Sequence, residues 1–220
     1  MGERDALIKA FSPPDGEKRA WQRMLSGRRL DLLNPDPKDI DIEDIAHGLS
    51  RVARWNGQTV GDHAFSVAEH SLFVGDLLLH LNPEAPAAWQ LAALLHDAAE
   101  YVVGDLISPF KAAIGMDYKL FELQLLEAIY RRFEIKGVLD DALTAKIKEA
   151  DTYAAYFEAV QLAGFDEEEA RALFRSSLTD DARIVGFDAA LEPVSVSEAQ
   201  RAFLERYHKL ARSLSKAGSE

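Results

Sequence analysis

Three side chains able to bind a cation or move a proton, His96, Asp97 and Glu100, interrupt an otherwise apolar stretch from Leu91 to Asp105. Read as one helix buried on all sides, the stretch sets His96 and Glu100 four residues apart and Asp97 and Glu100 three apart, so the three share one side. Burying such groups unpartnered costs about 1–3 kcal/mol each, and more for a charge. A divalent cation offsets that cost, since it takes a neutral imidazole and ionised carboxylates as ligands. The competing reading is a buried His96–Asp97 hydrogen bond with Glu100 reaching solvent at the helix edge. A second histidine favours the cation: Val67, His70, Val74, Leu77 and Leu81 form one apolar stripe, which turns His70 toward the core. Asp151, four after Ile147 and three before Ala154, also lies against an apolar stripe, where a hydrogen-bonded helix residue is the simpler reading of it alone.

The elements that must hold these groups are helical. The pattern predicts helices from Phe65 to Leu81, stopped by Asn82-Pro83, and from Asp140 to Leu162. Ile42, Ile45, Leu49 and Val52 predict another from Asp39, ending in Ala53-Arg54-Trp55-Asn56-Gly57 with Gly57 as stop. On pattern alone Arg54 and Trp55 are an exposed cation beside a rim aromatic. The break from Gly104 to Lys111 puts Asp105 and Lys111 in a loop at the exit of the central helix, where loops commonly contact substrate. Asp117 to Glu134 reads as an amphipathic helix repeating Leu120, Leu123, Leu126 and Tyr130, with apolar surface that suits a homodimer. A short helix follows Gly164, an irregular connection spans Ser177 to Pro193, and a last helix opens on a capping box at Ser197-x-x-Gln200 and packs Phe203, Tyr207, Leu210 and Leu214. Residues 1–38 read as an N-terminal arm with one helix near 17–26 and a solvated Arg28-Arg29 pair. His80 reads as a surface residue, His63 has no assigned role, and no strand or repeat is expected. The expected architecture is a single all-α domain: an arm over 1–38, a helical core over 39–165 and a C-terminal helical extension over 166–220 packed on that core.

Composition narrows the function classes. The chain has 220 residues, enough for a full core, and no apolar run near the roughly 20 residues of a membrane span. Met1-Gly-Glu-Arg-Asp has acidic residues and no apolar h-region, so no secretory signal is read there and a cytoplasmic location is expected. With no cysteine, any metal falls to His, Asp and Glu. A net charge of −12 argues against binding a nucleic acid polymer but leaves small anions open wherever cations gather locally.

Together His70, His96-Asp97 and Asp151 resemble the H…HD…D signature of the HD-domain metal-dependent phosphohydrolases. Ala68-Glu69-His70-Ser71, His96-Asp97-Ala98-Ala99-Glu100, Gly104-Asp105-Leu106 with Pro109 and Lys111, Lys148-Glu149-Ala150-Asp151 and the upstream pair Arg54-Trp55 are similar to the bacterial YfbR-type 5′-deoxynucleotidases, over roughly residues 45–160. The resemblance implies an all-α fold in which His70, His96, Asp97 and Asp151 hold one divalent cation. It implies that Glu100 and Asp105 are catalytic or substrate-orienting, that Arg54 neutralises the phosphate and that Trp55 packs beside the sugar. Two imidazoles and two carboxylates with open positions suit Mn²⁺, Co²⁺, Fe²⁺ or Mg²⁺, with Zn²⁺ also accommodated. The implied reaction is hydrolysis of a (deoxy)ribonucleoside 5′-monophosphate by an activated water, with Glu100 orienting or deprotonating it, Asp97 able to share that task and Arg54 stabilising the phosphoryl charge. The alternatives are a nucleotide or metabolite sensor using the same pocket without catalysis, a phosphohydrolase of another small phosphoester, and a purely structural metal site.

Overall fold

The computed structural model describes residues 20–106, 116–135, 140–174, 183, 184, 187 and 190–217. Within them the helices are α1 (Ile42–Leu49), α2 (Val67–Leu81), α3 (Ala87–Leu94), α4 (Glu100–Val103), α5 (Met116–Arg132), α6 (Asp141–Gln161), α7 (Glu167–Phe174) and α8 (Val196–Ala217), with 3₁₀ turns at Pro37–Asp39 and Arg54–Gly57. The all-α expectation therefore holds, with one small exception. Trp21–Arg23 (β1) and Arg29–Asp31 (β2) form an antiparallel hairpin where a helix over 17–26 was expected. Leu30 is fully buried between exposed Arg29 and Asp31, a period of two over three residues, too short to register as a strand pattern. The Arg29 guanidinium stacks on the Trp21 ring at 4.3 Å, and Arg28 pairs with Asp41 at 2.9 Å, so neither arginine is simply solvated.

α2 is the centre of the molecule. It packs against α6 on one side and α3 on another, while α8 lies across α1, α2 and α3 and α1 packs against α4. Val67, His70, Val74 and Leu77, all fully buried, with Leu81 nearly so, form the stripe that makes this possible. α1 approaches α4 closely: a Cβ on Gly48 would lie 2.7 Å from the Tyr101 Cβ and 3.0 Å from its carbonyl oxygen. Only glycine fits there.

Four expectations are corrected. The helix from Asp39 starts at N-cap Asp41 and ends at Leu49, so Arg54 and Trp55 sit in a separate 3₁₀ turn rather than at a helix exit. The Leu91–Asp105 helix is broken: α3 stops at Leu94 and residues 95–99 form turns held by bonds such as Ala98 N–H to Leu95 O (3.1 Å) and Glu100 N–H to Asp97 O (2.9 Å) before α4 begins. On α5 the buried face is Leu125, Ala128, Ile129 and Tyr130, while Leu120 and Leu123 are exposed. α8 begins two residues earlier than expected, on Ser195 and Glu198, whose hydroxyl and carboxylate cap each other's backbone N–H. Lys111 and most of the 177–193 connection lie outside the described residues.

Candidate metal centre and phosphate site

α2 delivers His70 with its position set from the helix start. Ser66 is the N-cap: its hydroxyl accepts from Glu69 N–H at 3.3 Å, and the Glu69 carboxylate accepts from Ser66 N–H at 2.9 Å. His70, the next residue, is fully buried. The tight turn after α3 delivers His96 and Asp97, and α6 delivers Asp151 from the helix packed beside α2.

Their ligand atoms converge. His70 Nε2 lies 3.4 Å from Asp97 Oδ2 and 3.3 Å from Asp151 Oδ1, and His96 Nε2 lies 3.2 Å from Asp97 Oδ2. One ligand atom from each of His70, His96 and Asp97 falls within 4.8 Å of the others, the spacing of donors around a cation. Both imidazole Nε2 atoms are buried and lack a hydrogen-bond partner of good geometry among the described residues. Their other nitrogens are engaged: His70 Nδ1 is 2.5 Å from Glu158 Oε1 and His96 Nδ1 is 2.8 Å from Ala93 O. Each partner is an acceptor, so each ring carries a proton on Nδ1, and wherever the ring is neutral its Nε2 lone pair turns inward, the arrangement a metal ligand needs. The side chains of Asp97 and Asp151 are 26% and 19% exposed against 10% for His96 and none for His70, which leaves the ring closed at His70 and open on the carboxylate side. These residues fit a divalent cation with accessible coordination positions.

The electrostatics point the same way. Burial and the Arg54 charge push the His70 pKa down, but the Glu158, Asp151 and Asp97 carboxylates outweigh them and hold it well above its usual value. Burial raises the Asp151 carboxyl, yet contact with His70 and the nearby His96 hold it below the ordinary carboxylate range. The ring thus attracts positive charge, which a proton on His70 supplies without a cation and a divalent ion supplies in its place.

Arg54 is mostly buried, its side chain 14% exposed, and is not the exposed cation that pattern alone suggests. Its Nη1 donates to Asp105 at 2.9 Å, its Nε donates to Glu158 Oε2 at 3.2 Å, and Nη2 lies 3.2 Å from the same oxygen. Burial opposes its charge, but Glu158 and Asp105 raise its pKa above the ordinary guanidinium value. Among the described residues these contacts leave one N–H on each terminal nitrogen. Trp55 donates its indole N–H to Glu158 Oε2 at 2.9 Å and rests its ring beside Phe165 and Phe174. Its φ is +55°, Asn56 follows at +51° and Gly57 at +72°, a left-handed turn that costs roughly 1–3 kcal/mol per non-glycine residue. Glu100 opens α4, one tight turn beyond Asp97, and is 1% exposed.

The residue that sequence reasoning missed is Glu158. It lies seven after Asp151, two helical turns along the same face, so the signal was the recurrence of an acid on the stripe. It joins His70 to Arg54 and Trp55. His63 is exposed, and His80 packs on Phe187 at the surface.

An HD domain family model matches residues 67–156, the span carrying His70, His96, Asp97 and Asp151. An uncharacterised protein of Rhodobacter capsulatus is 54% identical over 90% of this chain and 99% of its own length. A 5′-deoxynucleotidase of Erwinia tasmaniensis is 30% identical over 60% of this chain and 69% of its own, and one of Vibrio cholerae is 32% identical over 53% and 64%. The match to the nucleotidases covers about two thirds of their length. By these relationships the chain belongs to the HD-domain metal-dependent phosphohydrolases.

Proposed function

We propose that the chain hydrolyses the phosphomonoester of ribo- or deoxyribonucleoside 5′-monophosphates, with His70, His96, Asp97 and Asp151 holding one divalent cation of the Mn, Co, Fe, Mg or Zn kind. The observation that carries this reading is the pair of inward-facing Nε2 atoms ringed by carboxylate oxygens, linked through Glu158 to a guanidinium with N–H groups left for an anion. When bound, the cation supplies Lewis acidity toward the phosphoryl group and neutralises its charge. Arg54 grips the phosphoryl oxygens as a planar fork, and Asp105, which fixes that fork, orients the substrate with it. Trp55 flanks the sugar. Glu100 takes a proton from the attacking water, with Asp97 able to share the task. As the water oxygen bonds to phosphorus, the ester P–O bond breaks in line and the nucleoside leaves, its 5′ oxygen taking up the proton that Glu100 removed from the water. The relatives named 5′-deoxynucleotidase support a nucleotide substrate. Lys111, close to Asp105 in sequence, is proposed as a further phosphate contact.

The test is phosphate release from a panel of nucleoside monophosphates with Mn²⁺, Co²⁺, Mg²⁺, Zn²⁺ or a chelator, for wild type and Glu100→Gln. Metal-dependent release that falls by about 10²–10⁴-fold in the variant supports the reading. Tight nucleotide binding without turnover under any metal identifies a sensor instead, and turnover of another phosphoester keeps the site but changes the substrate.

A further inference from the structure

Glu158 is a carboxylate with no exposed surface, and taking such an ion out of water costs several kcal/mol unless donors replace the solvent. They do: His70 Nδ1 at 2.5 Å lies on Oε1, while Trp55 Nε1 at 2.9 Å and Arg54 Nε and Nη2, each at 3.2 Å, lie on Oε2. The two oxygens serve different halves of the site. From this we infer that Glu158 is a positioning residue that sets cation affinity and phosphate binding together, one oxygen holding His70 as a ligand and the other holding Arg54 and Trp55 in their turn. The inference rests on the cation reading above.

The chemistry demands a carboxylate. An ionised Glu accepts on both oxygens, whereas the isosteric Gln accepts on one and donates on the other. A Gln at 158 whose oxygen faces Trp55 and Arg54 turns its NH₂ on the His70 Nδ1 proton; either that contact is lost or the proton moves to Nε2, where it blocks the metal. The opposite rotamer sets the NH₂ against the Trp55 and Arg54 N–H groups. No amide orientation satisfies both sides. The Trp55 side matters because Trp55 and Asn56 both hold left-handed backbone, a conformation that persists only where surrounding contacts impose it.

The experiment uses the full chain, stripped of metal, as wild type, Glu158→Gln and Glu158→Asp. Zn²⁺ and Mn²⁺ affinities are measured by calorimetry and helix content by circular dichroism, and His70 ring nitrogen and Trp55 indole proton shifts are recorded by NMR on Zn²⁺-loaded protein. The expected result is cation binding weakened by about 10–100-fold in Glu158→Gln at unchanged helix content, partly recovered in Glu158→Asp, with the Trp55 indole proton displaced. Wild-type affinity in Glu158→Gln overturns the inference. Should that variant fail to fold, the wild-type spectrum and Glu158→Asp decide: zinc on Nε2 with the proton on Nδ1, and weakened binding in Glu158→Asp, support it, while a proton on Nε2 or unchanged binding refutes it. These readouts need no substrate, so absence of nucleotide turnover would sink the substrate assignment and leave the role of Glu158 standing.

Discussion

At the scale of single residues, the proposed site separates charge that would hold a cation from charge that would hold an anion, and each part can be removed alone. Asp151 gives Oδ1 to the ring while its Oδ2 accepts from Lys148 at 2.7 Å, so the carboxylate is oriented from outside. Asp151→Asn keeps the shape but removes the negative charge, and cation affinity measured by calorimetry should fall by more than the about 10–100-fold typical of losing an outer hydrogen-bond partner. Arg54 is the complementary case. Its neighbours Glu158 and Asp105 are nearly or fully buried, so truncation to Ala would strand both carboxylates and confuse binding with folding. Arg54→Lys retains the charge and loses only the fork. Charge-assisted hydrogen bonds contribute about 1.5–3 kcal/mol, so kcat/KM for the turned-over phosphomonoester should drop by about 10–150-fold while cation affinity changes little. Equal losses in both quantities would mean that Arg54 acts through the ring rather than on substrate.

At the scale of elements, function depends on where helices start and how closely they approach. The capping box from Ser66 to Glu69 fixes the first turn of α2, and Glu69 Oε1 also accepts from Val194 N–H at 2.9 Å, tying the lead into α8 to the helix that bears His70. Ser66→Ala should cost about 0.5–2 kcal/mol in urea unfolding. Gly48→Ala should cost at least about 1–3 kcal/mol, because the added carbon meets Tyr101 backbone that cannot swing aside and because Tyr101 follows Glu100 directly; a neutral effect would show that α1 and α4 are not held at this distance. Much of this level is legible in sequence. The His70 stripe gave the face of α2, and Asp140 and Leu162 stand as N-cap and C-cap of α6 where the pattern placed its ends. Ser66-x-x-Glu69 was equally readable as a helix start. Illegible were features set by packing. The stretch around His96 holds no Gly or Pro before Gly104, so nothing local announced the tight turn that replaces a continuous helix there. A lone Glu in a helix is ordinarily solvated, so Glu158 reads as surface in the sequence, and the helix beside it and the loop above supply the donors that bury it.

For the whole molecule, the folded chain gathers partly buried acids around one point although it already carries a net charge of −12. Holding carboxylate oxygens of Asp97 and Asp151 3.4 and 3.3 Å from His70 Nε2 is favourable only with positive charge among them, so in the proposed site folding and cation binding are coupled. A ligand that binds only the native state adds RT ln(1 + [L]/Kd) to the unfolding free energy, about 2.7 kcal/mol at a hundredfold excess over Kd. For a chain of this length each kcal/mol moves the melting midpoint by roughly 2–4 °C, so saturation with Mn²⁺ or Zn²⁺ should raise it by roughly 5–10 °C and a chelator should abolish the gain. Calcium, which prefers more oxygen ligands than this ring offers and does not favour imidazole, should give a smaller rise. Asp151→Asn should remove the gain while Arg54→Lys preserves it, since only the first alters the ring. A midpoint that rises equally in all three proteins would place the bound ion elsewhere on the acidic surface, and none rising would mean that the four ligand atoms do not form a cation site in solution.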